Sequence, residues 1–239
     1  MAIIREIYQD ANGNWAAYID ADETEFTPES LQYDGSTKVV NSDGIVAGNV
    51  DYVQAWLGYG PDTVTYTKSV GIVDLRAGND SAQLLQTIYA LADGGAGKDR
   101  LLVDRRGTTD QKSILVERVN GVLSGGNLDI SDGTGFQFTN FENVMIYMND
   151  AGGAAQVNGT ALSNSEIRIH GGKGTDTLAL DLSDRMDVRL VVGADNGVQF
   201  GTGTFTGFDS FIVKGGTGRN DITGSATGDN VLYGNDKRD

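Results

Sequence analysis

The chain has 239 residues, among them 34 glycines, and a formal net charge of −15 from 33 acidic against 18 basic side chains. It has no cysteine and one histidine, His170, which excludes disulfides, thiolate catalysis, cysteine-based zinc sites and any multi-histidine metal centre. Such an acidic surface repels nucleic acid and anionic membranes and attracts cations.

The start carries Arg5 and Glu6 and predicts no cleaved signal peptide, and no stretch reaches the roughly 20 apolar residues of a membrane helix. Ile3 to Ile19 reads as two strands around an Asn12-Gly13 turn, which supplies the positive φ of a hairpin. The Asp10-x-Asn12-x-Asn14 spacing is not an EF-hand, because Trp15 holds the glycine place and Ala21 the glutamate place. Asp20 to Ser30 is an acidic connection, and Leu31 to Tyr59 reads as short strands separated by Asn, Ser, Asp and Gly. Residues 1–56 are accordingly expected to form a small N-terminal β element or cap.

From Leu57 onward the chain repeats itself, with units starting near Leu57, Gly94, Gly171 and Gly215. "GGAGKDRLL" (Gly94 to Leu102) and "GGKGTDTLA" (Gly171 to Ala179) share Gly-Gly-x-Gly-x-Asp followed by apolar residues. "TNFENVMIY" and "TGFDSFIVK" hold one place in their units, each with Phe, an acid and an apolar run. The long second unit carries an insertion, placed around "RRGTTDQKS" and "NDAGGAAQVNGTALSNSE". Ser81 to Gly95 has helical spacing at Leu84, Leu85, Ile88, Leu91 and Ala92, but its place in the repeat favours strand.

The glycines let the backbone turn tightly and turn several carbonyl oxygens to one side, and the Asp adds a carboxylate. One such segment cannot bury its apolar face alone, whereas stacked segments make a continuous core with the Gly-Asp turns aligned on one edge. Oxygen ligands in a row, with no soft ligand, describe a hard-cation site, and calcium is the natural choice. The carboxylates expected to serve are Asp62, Asp99, Asp176, Asp221 and Asp229. Carbonyls come from the turns at Gly94, Gly95 and Gly97, at Gly171, Gly172 and Gly174, and at Gly216 and Gly218.

The two nonapeptides resemble the hemolysin-type calcium-binding repeats of RTX proteins. They match at Gly94, Gly95, Gly97, Asp99 and Leu101, and again at Gly171, Gly172, Gly174, Asp176 and Leu178. The likeness spans about Leu57 to Asp239 and is partial at Gly215, where Asn220 holds the Asp place and Asp221 comes one residue late. In "LGYGPDTVT", Leu57 stands where the first glycine belongs. The resemblance implies an all-β, irregular parallel β-solenoid over 57–239. It further implies a non-catalytic, calcium-stabilised structural or assembly module of an extracellular or surface protein of bacterial or phage origin.

"GNDKRD" stops before the apolar residue that would close a coil, so self-association through the solenoid end is expected. The alternatives are a carbohydrate- or surface-binding module using Trp56 or Tyr59 against a surface polysaccharide, and a repeat module of a secreted polysaccharide-active enzyme. No catalytic signature is present. "GGKGTD" lacks the upstream glycine and following Ser/Thr of a P-loop, and "GTGTFTG" misses the dinucleotide fingerprint by one residue. Acid pairs such as Asp129/Asp132 and Asp181/Asp184 are too common here to mark a hydrolase. His170 is expected to be structural.

Overall fold

The computed structural model describes residues 3–9, 11–20, 30–33, 38–41, 44–48, 50–109, 113–127 and 134–234. Most of the acidic connection after Asp20, the pair Asp129/Asp132, Asp10 and the final "NDKRD" lie outside them. The described residues form strands and turns, with one short 3-10 turn at Gly159–Leu162 and no α-helix. The protein is all-β with long parallel sheets. The chain divides into two units, one made of Met1–Asp104 with Ile130–Asn143, the other of Arg105–Asp129 with Val144–Asp239.

The first unit opens with a hairpin, as Asn12-Gly13 requires. Ile3–Gln9 pairs antiparallel with Trp15–Asp20, and Gly13 sits at φ 88°. After it the chain alternates between two parallel sheets. One holds Trp15–Asp20, Tyr52–Trp56, Val70–Asp74, Tyr89–Asp93 and Gly135–Thr139. The other holds Ser30–Tyr33, Thr63–Thr67, Ser81–Leu85 and Arg100–Asp104, with a hairpin of Lys38–Asn41 and Gly44–Gly48 on its edge. Tyr52–Trp56 is an interior strand, bonded to Trp15–Asp20 on one side and Val70–Asp74 on the other. Hydrogen bonding therefore continues from Tyr52–Trp56 into Val70–Asp74.

Registered partners in the second sheet are Thr63, Ser81 and Arg100, so the chain returns to the same sheet after 18 and then 19 residues. The offset from Leu57 to Gly94 thus spans two returns. The intermediate one starts at Leu75: the N–H groups of Leu57, Leu75 and Gly94 donate to Asp74, Asp93 and Thr139 in turn. "LRAGND" (Leu75 to Asp80) is a copy of the repeat that has lost two of its glycines. Arg76 stands where Gly95 stands in the next copy, and it adopts φ 59° against φ 78° for the glycine.

Alternation places one face of every strand inside. Val64, Tyr66, Ala82, Leu84, Leu101 and Val103 are buried from one sheet, and Val53, Ala55, Ala90, Phe136 and Phe138 from the other. The helical spacing across Ser81 to Gly95 therefore gives way to two strands, Ser81–Leu85 and Tyr89–Asp93, joined at Gln86 with φ 52°. Tyr66 is accommodated because Gly71 faces it; a Cβ there would lie 2.3 Å from the ring. Its hydroxyl donates to the Ile72 carbonyl at 3.1 Å, and burial pushes the phenol well above its usual range.

The second unit repeats the plan with returns of its own lengths. The hairpin Ile114–Val119/Val122–Asn127 leads a parallel series of Gly153–Asn158, Asp176–Asp181, Ser210–Lys214 and Asp229–Tyr233. Registered partners Ala155, Leu178, Phe211 and Asn230 are 23, 33 and 19 residues apart. Asn143–Tyr147, Glu166–His170 and Gly203–Thr206 form the facing series. His170 is part of a stack there: its ring lies 4.7 Å from Tyr147, whose ring also carries Arg106 at 4.1 Å, and its Nδ1 is 2.6 Å from the Thr206 hydroxyl.

Candidate metal-binding corners

In the first unit's second sheet, Thr63–Thr67, Ser81–Leu85 and Arg100–Asp104 are each preceded by a buried acid. Asp62 and Asp80 are 1% exposed and Asp99 is 0% exposed. Burial of a carboxylate demands partners, and the partners are backbone amides of the neighbouring return. Asp62 N–H donates to Asp80 Oδ1 at 2.7 Å, Asp80 N–H to Asp99 Oδ1 at 2.8 Å, and Asp99 N–H to Glu142 Oε2 at 2.8 Å. In the other direction, Ser81 and Arg100 N–H donate to the carbonyls of Asp62 and Asp80, and Glu142 and Asn143 N–H to that of Asp99. The result is a ladder of four carboxylates, one per return.

The same exchange holds the second unit. Asp176 N–H donates to Asp209 Oδ2 at 2.8 Å, and Asp209 N–H returns to the Asp176 carbonyl at 2.8 Å. The two sequence motifs, Gly-Gly-x-Gly-x-Asp and Phe-acid, therefore meet: Glu142 and Asp209 cap the amides of Asp99 and Asp176. Phe141 and Phe208, buried beside them, anchor the capping turns.

The glycines serve close approach. A Cβ on Gly97 would lie 1.6 Å from the Gly78 carbonyl oxygen, and one on Gly172 would lie 1.8 Å from that of Asn149. Gly94, Gly95, Gly171 and Gly216 press in the same way on the carbonyl oxygens of Asn140, Arg76, Gly207 and Arg185, whereas Gly174 meets the Gly152 nitrogen and Gly218 the Asp187 carboxylate. A second set of acids ends strands: Asp74, Asp93 and Asp181 each accept the N–H two residues on, as Asx turns do. Much of the negative charge is thus corner chemistry.

Three corners that look alike in sequence differ in how they are closed. At Gly171–Asp176, Gly172 N–H donates to Asp176 Oδ2 at 2.8 Å, while Asp176 Oδ1 is buried with no hydrogen-bond partner. At Gly215–Asn220, Gly216 N–H donates to Asn220 Oδ1 at 2.8 Å. The Asn220 amide nitrogen then donates to the carbonyls of Gly216 and Gly218, both at 3.1 Å. Asn230 does likewise with Ser225 N–H and the carbonyls of Ser225 and Gly228. At the Asp176 corner Gly172 and Gly174 hold the places of Gly216 and Gly218, and the side chain in the place of Asn220 carries a second oxygen where the amide carries its nitrogen.

Asp80 and Asp99 also keep one buried oxygen, Oδ2, without a hydrogen-bond partner. Burial pushes both carboxyls up to about 6, against the pull of the amides they accept; for Asp99 the neighbouring Asp80, Glu142 and Asp93 push further. Asp176 is raised by burial and by Asp209, against the Gly172 and Gly153 amides. Such oxygens want either a proton or a cation.

Oxygen-only donors suit a hard cation such as calcium. Among the described residues no three or more Asp, Glu or His side chains converge, so backbone carbonyls must supply the balance of any coordination. Of the carboxylates expected to bind, Asp62 and Asp99 lie in one ladder, and Asp176 belongs to the other unit. Asp221 is 69% exposed beside Arg189, and Asp229 is exposed; neither occupies the place of Asp176, which Asn220 and Asn230 hold. The sequence reading missed Asp80 because "GND" keeps only one glycine. The recurrence of Gly-x-Asp at Gly60, Gly78 and Gly97 marks it.

The chain matches no protein-family model, no curated protein and no solved structure.

Proposed function

We propose that the chain is a non-catalytic structural module, a β-solenoid whose Asp corners are stabilised by calcium, acting on a cell or virion surface or outside the cell. The observation that carries this reading is the buried, unpartnered Oδ1 of Asp176 in the place where Asn220 brings two N–H donors to two carbonyls. A cation there replaces the donors that the carboxylate lacks. Asp80 and Asp99, each with a buried oxygen to spare, supply further oxygen ligands of the same kind. The solenoid reading rests on parallel strands in register at short returns. Self-association is supported by Asp229–Tyr233, which among the described residues pairs on one side only and exposes Val231, Leu232 and Tyr233.

The test is thermal unfolding of the chain in chelator, in millimolar magnesium and in millimolar calcium, with light scattering on the same samples. Ligand bound to the native state raises the melting temperature as its concentration passes the dissociation constant. Calcium is expected to raise it and magnesium to do so less. Identical melting in chelator and calcium removes the metal from the reading, and a monodisperse monomer throughout removes the assembly.

A further inference from the structure

The first unit carries a groove of about 360 Å³ on the outward side of its first sheet. The size is that of a small-ligand site. Register builds it from two rows. Trp56, Asp74 and Asp93 are neighbours across three strands, and Ile72, Leu91 and Gln137 are neighbours one step inside them. Neighbouring strands lie about 4.8 Å apart, so the rows offer similar groups at short, regular intervals.

Several polar groups of this groove are held but not used up. Asp74 Oδ1 accepts the Arg76 N–H at 2.9 Å. Asp93 Oδ1 accepts the Gly95 N–H at 3.0 Å and the Asn140 amide at 2.7 Å. The second oxygen of each carboxylate makes no hydrogen bond among the described residues, and neither do the Trp56 indole N–H and the Gln137 amide. The Trp56 ring is steadied by Tyr18, 4.8 Å away. The carboxylates are therefore fixed acceptors, and the aromatic ring a fixed wall.

We propose that this groove binds a neutral oligosaccharide lying across the strands. A pyranose has an apolar C–H face for Trp56, Ile72 and Leu91, and a rim of hydroxyls that donate to Asp74 and Asp93 and exchange bonds with Gln137. Carboxylates repel acidic sugars and other anions, and a wholly apolar ligand leaves four polar groups unmet. No residue of the groove belongs to the ladder, but Asp93 lies near enough to Asp99 to raise its carboxyl, so the test is run at one calcium level.

The experiment uses the full chain with Trp15→Phe, so that indole emission reports Trp56, at constant calcium. Linear neutral hexasaccharides of glucose (α-1,4 and β-1,4), mannose and xylose are titrated beside oligogalacturonate and oligolysine. At least one neutral hexasaccharide is expected to give a saturable change. Asp93→Asn is expected to weaken it at least tenfold. Calorimetry on Trp56→Ala in the native Trp15 background is expected to show binding lost, with Trp56→Phe, which keeps the wall, retaining part. No saturable change with any neutral sugar overturns the proposal. So does unchanged binding in Trp56→Ala, or tighter binding of oligogalacturonate or oligolysine.

Discussion

The corners at Gly171–Asp176 and Gly215–Asn220 have nearly the same sequence and the same turn, yet one is complete and the other is not. In both, the residue after the first glycine donates its N–H to a side-chain oxygen four residues on. In the second, an amide finishes the work by donating to two carbonyls; in the first, a carboxylate has no such donor and leaves its second oxygen buried without a hydrogen bond. One atom, nitrogen or oxygen, decides whether the corner closes by itself or calls for a cation or a proton. A glycine-rich turn is thus a scaffold shared by both states, and the metal question lies in the last residue.

The largest effect should come from a change that ignores this difference. Gly172→Val and Gly216→Val each drive a Cβ into a carbonyl oxygen, and both should destabilise by on the order of 3 kcal/mol whether calcium is present or not. Unequal losses, read by denaturant unfolding, would show that the two turns are not the same scaffold. A swap of the last residue comes next. Asn220→Asp should cost about 1–3 kcal/mol in chelator, since two donors are lost and an unmatched oxygen is buried, and it should create a calcium response. Asp176→Asn should do the reverse, stabilising the chelated protein and shrinking its response to calcium.

The pH dependence of the chelated protein sharpens the point. Asp80 and Asp99 sit near 6 when folded, above their unfolded values, so the folded state binds more protons in the interval between. The stability they contribute is full below about 4, is lost as pH rises through about 6, and should be protected at high pH by calcium. Melting curves at pH 4.5 and 7.5, with and without calcium, check the sign. Asp221→Asn should be the smallest effect, within about 0.5 kcal/mol and without influence on calcium, because that side chain is mostly in solvent.

Much of this architecture is written in the sequence. The hairpin at Asn12-Gly13, the strand nature of Ser81 to Asp93 and the two full glycine corners follow from turn chemistry and repeat position. The short return was not legible, because Leu75 and Arg76 replace the glycines that would have flagged it. Leu75 fits since its side chain is buried, and Arg76 fits by adopting the left-handed backbone that Gly95 uses. Asp221 drew attention by its charge, but a one-residue offset at the start of a strand turns it out to solvent and leaves Asn220 inside the turn. The link from Asp99 to Glu142 spans 43 residues, and no local pattern announces it.

The unequal returns carry a consequence for how such a chain can change. Successive partners are 18, 19, 23 or 33 residues apart, yet the strands remain parallel and in step. Spacing along the chain is therefore not what sets alignment; at the returns of 18, 19 and 33 residues a reciprocal clasp joins one strand-leading acid to the next. Segments leaving one clasp and coming back to the next are free to grow, shrink or be exchanged over generations. Foreign loops of quite different length could be grafted between Asp181 and Asp209 while the strands on either side keep their alignment.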